Sequence, residues 1–204
     1  MSAGLDAGLE PGEALVDAER PALLDRLSRA EAVAPELLAG LSSLPHAGRV
    51  IAVFRRADLP RGPALPIGLA LWRVADPGNL GTLVRAADAL GPAFVALSPG
   101  CADPTGPKAL RASAGAVFRV PLAGFEEGPG RRVALVPRGG VPLSELDLSE
   151  PLTFVLGAER EGLPQDVLAG CEASATIPQA GQAESLNVAV AGAIALYELR
   201  RGRR

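Results

Sequence analysis

Histidine and cysteine are nearly missing from this chain, and with them the commonest catalytic bases and metal ligands. It has one histidine, His46, and two cysteines, Cys101 and Cys171, in 204 residues. Neither cysteine belongs to a CxxC pair or has a histidine nearby, so no zinc site or disulfide framework is indicated and both read as inert core thiols. His46 stands in a linker-like stretch between Leu44 and Arg49, which suits a solvent-facing loop residue better than a general base. Aromatics form only 3% of the sequence, too few for a platform on which single-stranded RNA would stack. No apolar run reaches the ~18 residues of a membrane span, and the N-terminus lacks the basic and apolar regions of a signal peptide. The expectation is a cytoplasmic protein with no membrane partner.

Basic charge is short as well. Lys+Arg 20 against Asp+Glu 23 leaves a formal net charge of -3, and the pI is near 5.3, whereas nucleic-acid-binding domains usually carry a basic excess. RNA phosphates would therefore fall to local clusters: Arg55, Arg56 and Arg61, then Lys108 and Arg111, then the tail Arg200, Arg201, Arg203 and Arg204. Each such cluster reads equally as solvated surface charge. Neither GxGxxG after a strand nor GxxxxGK[ST] occurs, so the dinucleotide and P-loop readings lack their signatures.

What is present is ample apolar material, 48% of residues, in an alternating pattern. Residues 1 to 12 are small and Gly-rich and read as frayed. Leu23, Leu24 and Leu27, then Leu37, Leu38 and Leu41, predict short helices between Glu13 and Leu44, with a short strand at Ala30 to Ala34 and a better one at Val50 to Phe54. Arg55 to Pro66 is proline-rich and reads as a linker. Strands are then predicted at Leu69–Val74, Ala93–Leu97, Val117–Val120, Val133–Val136, Leu152–Leu156 and Ala175–Ile177. Helices are predicted at Asn79–Leu90, Pro107–Ala112, Pro164–Ala169 and Ser185–Arg200. Strands separated by helices imply a parallel sheet covered on both faces, with ligands beyond the C-terminal strand ends.

Three stretches there share one style, a strand followed by a turn rich in Gly, Asn or Glu. They are DPGNLGTLVRAADALG (Asp76 to Gly91), LTFVLGAEREGLP (Leu152 to Pro164) and IPQAGQAESLNVAVAGAIALYELR (Ile177 to Arg200). In the first, Asp76-Pro77-Gly78 favours a tight turn, Asn79 reads as a helix cap, and Leu80, Leu83, Val84, Ala87 and Leu90 face the core. Arg85 falls off that stripe and could pair with Asp88. In the second, Gly157 lets the backbone turn close to a ligand. In the third, Ser185 reads as an N-cap, and Leu186, Val190, Ala193, Ile194 and Tyr197 form an apolar stripe. Ala189, Gly192, Ala193 and Ala195 leave a small surface that another backbone, ligand or subunit could approach.

These three blocks, with the connecting CADPTGPKALRASAGAVF (Cys101 to Phe118), resemble the SpoU/TrmH-type RNA ribose 2′-O-methyltransferases of the SPOUT class, from about Leu65 to Tyr197. The resemblance implies an α/β parallel-sheet fold with a C-terminal trefoil knot over 67–204, joined by a linker, 56–66, to a short N-terminal RNA substrate-binding domain, 1–55. Compared with the family, that domain reads as truncated, with the opening strand and helix expected to be missing. Also implied are a homodimer through the knotted domain, S-adenosylmethionine as cofactor without a metal, and a ribosomal or transfer RNA substrate, ribosomal preferred. Motif matching places Asn79, Arg85, Glu159, Ser185 and Asn187 in the reaction centre, with the cofactor against Leu135, Val136, Pro137, Gly157, Ile177 and Leu186. Lys108 and Arg111 match the connecting block and would meet RNA phosphates. Gln179 stands where many relatives have methionine. An arginine keeps its charge in water, so Arg85 suits a phosphate clamp better than a free base. The alternative on the same fold is a non-catalytic RNA-binding or ribosome-assembly protein. A second rival is an α/β nucleotide-binding transferase of another class, and RNA-dependent methyl transfer separates the two.

Overall fold

The first sheet is built around one strand whose small apolar residues are buried. The computed structural model describes residues 2–27, 29–42, 48–63, 65–181 and 184–202, so His46, Arg203 and Arg204 lie outside the described residues. The chain divides into two units, Met1–Leu59 and Pro60–Arg204. In the first, helix α1 (Ser2–Asp6) precedes strand β1 (Glu13–Asp17), followed by β2 (Ala30–Val33), α2 (Pro35–Leu41) and β3 (Val50–Val53). β1 is central, parallel to β2 and antiparallel to β3. Its Ala14 and Val16 point inward and pack with Leu27. The helix expected around Leu37, Leu38 and Leu41 is α2 and that around Leu24 is a 3-10 helix, Pro21–Arg26, whereas the stretch from Glu13 is a strand and the opening, expected frayed, carries α1. Ala14 and Val16 alternate at the two-residue period of a strand, and Gly4 of α1 is buried with no room for a Cβ, which would come 2.8 Å from the Phe54 ring. Asp17 is fully buried, accepting from the Arg49 guanidinium at 2.7 Å and the Glu19 N–H at 2.9 Å. Those two partners, the backbone donor foremost, hold its carboxyl below the usual carboxylate range.

The second unit carries β4 (Ile67–Leu71), α3 (Pro77–Leu90), β5 (Phe94–Leu97), α4 (Pro107–Ser113), β6 (Leu122–Gly124), β7 (Arg131–Leu135), β8 (Val141–Pro142), β9 (Leu152–Leu156), α5 (Gln165–Ala169), β10 (Ala173–Thr176) and α6 (Val188–Arg201). Its sheet runs β6-β5-β4-β9-β7-β10-β8, with every neighbouring pair parallel. Every residue of β4 and β9 is buried, the continuous apolar run expected of a parallel strand covered on both faces.

One expectation fails here for an identifiable reason. Val117–Val120 is not a strand. Ala114 and Gly115 turn the chain at φ +49° and +85°, and a 3-10 turn at Ala116–Phe118 buries Val117 before β6 begins. Burial in a turn, not extension, accounts for the apolar residues Ala116 and Val117. On α6 the stripe Val190–Tyr197 faces outward, Val190 being 47% and Tyr197 57% exposed, while Val188, Ala189, Ala195, Leu196 and Leu199 are buried. Gly192 sits so close to α3 that a Cβ would lie 2.4 Å from Leu83 Cδ2, which draws α6 onto α3 and β9. The small surface of α6 is therefore used within the chain. Both cysteines are free, their thiols donating to the Leu71 and Val167 carbonyls. Trp72 packs edge-on to Phe125 with ring centroids 5.2 Å apart.

Candidate active site

The loops after β4 and β9 and the start of α6 meet at the C-terminal ends of the central strands. After β9 the chain folds back at once. Ala158 and Gly162 exchange both backbone hydrogen bonds, at 3.2 and 3.0 Å, with Gly162 at φ +68° and Glu159 in the small loop between them. Gly157 has no alternative, since a Cβ there would come within 2.3 Å of the Gly162 backbone. Glu161, in the same loop, faces Arg73 at 3.7 Å, an exposed pair that adds little stability.

Glu159, Asn79 and Asn187 form a chain whose direction is fixed at one end. The Asn187 Oδ1 accepts from the N–H groups of Ala189 and Val190 and caps α6. Asn187, not Ser185, is the cap. Its amide nitrogen must then face away from the helix, and it donates to Asn79 Oδ1 at 3.0 Å. Asn79 Nδ2 in turn donates to Glu159 Oε1 at 3.0 Å, and an ionised carboxylate can only accept. Asn79 itself sits in the first turn of α3, where Asp76 is the cap and accepts from the Asn79 N–H at 2.9 Å. The second oxygen of Asp76 accepts from Lys108 Nζ at 2.8 Å. That ammonium, followed by the Asn79 N–H, holds the Asp76 carboxyl below the usual carboxylate range.

Beside this chain lies a cavity of about 440 Å³. Leu135, Val136, Pro137, Gly157, Ile177 and Leu186 all line it, as do Glu159, Ser185 and Asn187. Arg160 and Glu184 also line it and escaped the sequence reading, although Arg160 directly follows the motif glutamate. Gln179 joins the wall, and its Oε1 is buried without a hydrogen-bond partner among the described residues. A half-open cavity of this size, walled by the ends of β7, β9 and β10, fits S-adenosylmethionine: Leu135, Ile177 and Leu186 suit a flat purine, and Glu159 and Glu184 suit its cationic groups.

Arg85 is exposed on α3, outside the cavity lining. The surface pair with Asp88 does not form, because Asp88 is taken by the Arg119 guanidinium through both carboxylate oxygens, at 2.6 to 3.2 Å. The Arg85 and Arg111 side chains have no hydrogen bond or ion pair among the described residues, whereas Lys108 is engaged by Asp76. Among the described residues no group of three or more His, Cys, Asp and Glu side chains could hold a metal ion, and no helix is long and apolar enough to cross a membrane.

The parallel sheet, the cavity beyond its strand ends and the directed amide chain together define a methylase of the SPOUT class. Residues 66–197 match the SpoU rRNA Methylase family, and the chain belongs to that family. It is 37% identical over 199 residues to an uncharacterized tRNA/rRNA methyltransferase of Synechocystis, covering 90% of this chain and 73% of that one. It is 38% identical over 141 residues to the 23S rRNA (guanosine(2553)-2′-O)-methyltransferase RlmP of Bacillus subtilis, covering 65% of this chain and 57% of the relative. The chain spans about half the length, 48%, of mycobacterial relatives described as tRNA/rRNA methyltransferases. The crystal structure of an AdoMet-bound rRNA methyltransferase from Sinorhizobium meliloti superposes with a TM-score of 0.85 at 31% identity, covering 99% of this chain and 85% of that one.

Proposed function

We propose that this chain transfers the methyl group of S-adenosylmethionine to a ribose 2′-hydroxyl in structured RNA, ribosomal RNA in preference to transfer RNA. The observation that carries the reading is the Glu159–Asn79–Asn187 chain, which joins three separated sequence blocks beside the cavity. Membership of the SpoU family and the 2′-O-methyltransferase relative support it. The protein is an S-adenosylmethionine-dependent RNA methyltransferase working in the cytoplasm.

S-adenosylmethionine, when bound, supplies a methyl group already activated by its sulfonium, so the protein's work is positioning and the handling of one proton. Leu135, Val136, Pro137, Gly157, Ile177 and Leu186 hold the cofactor and exclude water. Asn79, oriented by Glu159 and Asn187, fixes the floor on which the ribose rests, and Ser185 guides the departing proton toward solvent. Arg85 would clamp the neighbouring phosphate and polarise the 2′-hydroxyl that receives the methyl group. Such alignment can supply about 7 to 11 kcal/mol of a barrier. Lys108 and Arg111 extend the phosphate contacts along α4, and the unit before Leu59 takes part in RNA capture. The knotted path of the last segment and a homodimer belong to the same proposal. The outward stripe of α6, Val190, Ala193, Ile194 and Tyr197, borders an apolar groove with Thr82 and Leu90 that suits a second copy.

Transfer of labelled methyl groups into unmodified ribosomal and transfer RNA transcripts tests the proposal. Incorporation mapped to a ribose 2′-oxygen of ribosomal RNA is expected. Cofactor binding without methylation of any RNA from the source organism would overturn it.

A further inference from the structure

Arg73 lies just after β4, ahead of the turn at Asp76, with its backbone at φ +52°. Glycine enters that left-handed region freely, an arginine only against the resistance of its own Cβ. Neighbours hold it there. The buried Ser98 hydroxyl accepts the Arg73 N–H at 2.9 Å, and Gly100, itself at φ +90°, makes room for the stem. A Cβ at Gly100 would lie 3.3 Å from Arg73 Cγ and 3.4 Å from its Nε. The side chain is thereby aimed at the loop after β9, where its Nη1 comes 3.7 Å from Glu161 Oε2. That is too long for a hydrogen bond, and no guanidinium N–H of Arg73 has a hydrogen-bond partner among the described residues. Since β4 and β9 are neighbours in the sheet, this exposed cation stands between the loop leading to Asn79 and the loop carrying Glu159. Glycine in its place would relieve the backbone, and an exposed ion pair contributes little, so stability does not account for an arginine here.

We infer that Arg73 is an RNA-binding residue whose guanidinium grips a backbone phosphate close to the ribose that is methylated. The inference rests on the RNA reading above and adds to it a contact on the loop between β4 and α3, apart from Arg85 on α3 and from Lys108 and Arg111 on α4. A guanidinium offers a planar fork of donors that fits two phosphate oxygens. In the free chain Glu161 keeps the cation near its working place without satisfying a donor, and a phosphate supplies both the charge and the acceptors to displace it. Net repulsion does not stand in the way. Arg73 and Arg160 balance Glu159 and Glu161 in these loops, and Lys108 balances Asp76.

The experiment is filter binding of the full chain to labelled, unmodified small- and large-subunit ribosomal RNA transcripts across a salt series, beside methyl-transfer kinetics on the same transcripts. Arg73→Gly should weaken binding about five- to tenfold at low salt and reduce the slope of log affinity against log salt by about 0.7 to 0.9, the share of one phosphate. The loss should fall on KM for RNA more than on kcat. Its melting temperature should not drop, because glycine accepts the left-handed turn. Arg73→Lys keeps the charge and should restore the slope. Glu161→Gln should act in the opposite sense, tightening RNA binding about two- to threefold at low salt and losing that advantage at high salt. Arg73→Asn, which also tolerates the left-handed turn, is the second variant should glycine loosen the loop.

An unchanged salt slope in both Arg73→Gly and Arg73→Asn would overturn the inference and leave the methyltransferase reading intact; weaker binding at that unchanged slope would assign Arg73 to a base edge instead. Equal losses of kcat in Arg73→Gly and Glu161→Gln, with KM unmoved and activity restored by combining Arg73→Glu with Glu161→Arg, would make the pair a positioning device for Glu159 and also overturn it. Failure of folded wild type to bind either transcript would overturn the RNA reading itself, and the inference with it.

Discussion

Asn187 donates to Asn79 at 3.0 Å across 108 positions of sequence, and the same Asn187 caps α6 with its other amide atom. One side chain thus serves both the helix and the site, and two substitutions separate the duties. Asn187→Asp keeps an oxygen for the helix N–H groups but has no donor for Asn79. Its melting temperature should stay near that of wild type while methyl transfer falls about 10²-fold. Asn187→Ala loses both, and denaturant unfolding should show a further cost of about 1 kcal/mol. Equal activity in Asn187→Asp and wild type would remove Asn187 from the positioning chain.

Arg85 has no partner among the described residues and lies off the core stripe of α3, so its removal leaves nothing unpaired. Arg85→Ala should melt and bind S-adenosylmethionine as wild type does, yet lose about 10² to 10³ in kcat. Arg85→Lys should recover little of it, because an ammonium lacks the planar fork that grips a phosphate. Single-turnover methylation at saturating RNA is the measurement.

Gly157→Ala should be poorly tolerated. Its Cβ would meet backbone rather than a movable side chain, so the loop carrying Glu159 must shift. Destabilisation of about 1 to 3 kcal/mol and weaker cofactor binding are expected together. Retention of both properties would show that the loop closes in another way.

Asp76 has a lower pKa in the folded chain than in the unfolded one, through Lys108 first and the Asn79 N–H second. The sign is that of a paired carboxylate. Its stabilising contribution is complete above the ordinary aspartate value of 3.8 and is lost as pH falls below that, through the folded-state value. Acid unfolding should therefore depend less steeply on pH in Asp76→Asn than in wild type, whereas behaviour between pH 6 and 8 should show no such difference in slope. The comparison needs only fluorescence of Trp72 across an acid titration.

The exposed stripe on α6 gives the last prediction. Tyr197→Glu with Val190→Asp places two charges on an apolar surface that is about half exposed in the single chain. Light scattering should show wild type at twice the mass of the variant, and a wild type at the mass of one chain would exclude the dimer.

How much of this was legible beforehand varied with the kind of signal. β9 and α3 were readable because a run of buried residues and a helical stripe ending at Gly91 leave few alternatives. Val117 misled because a 3-10 turn can bury successive residues as a strand does, and only the positive φ at Ala114 distinguishes them. The stripe on α6 was real, but periodicity cannot say which of two apolar faces meets the core. Gly192, fitting against Leu83, decided that. Local rules placed caps at Asn79 and Ser185. The structure gives those roles to Asp76 and Asn187, because a cap is set by where the backbone turns and not by residue type alone. Glu159, Asn79 and Asn187 could be named from motif resemblance, but no single-chain pattern announces a hydrogen bond between residues 80 positions apart. The orphaned oxygen of Gln179 had no sequence signal at all.

The amide chain also has a consequence for biogenesis. Its polarity starts at the first turn of α6 and ends at Glu159, so the Asn79 amide has both its partners only once that turn is formed. A nascent chain that has emerged as far as Gly157 already holds β4, α3 and β9, yet it lacks both partners of the Asn79 side-chain amide, Glu159 and Asn187. Synthesis of the site is therefore completed from its far end, and a ribosome carrying a partly made copy displays no competent enzyme to the RNA around it.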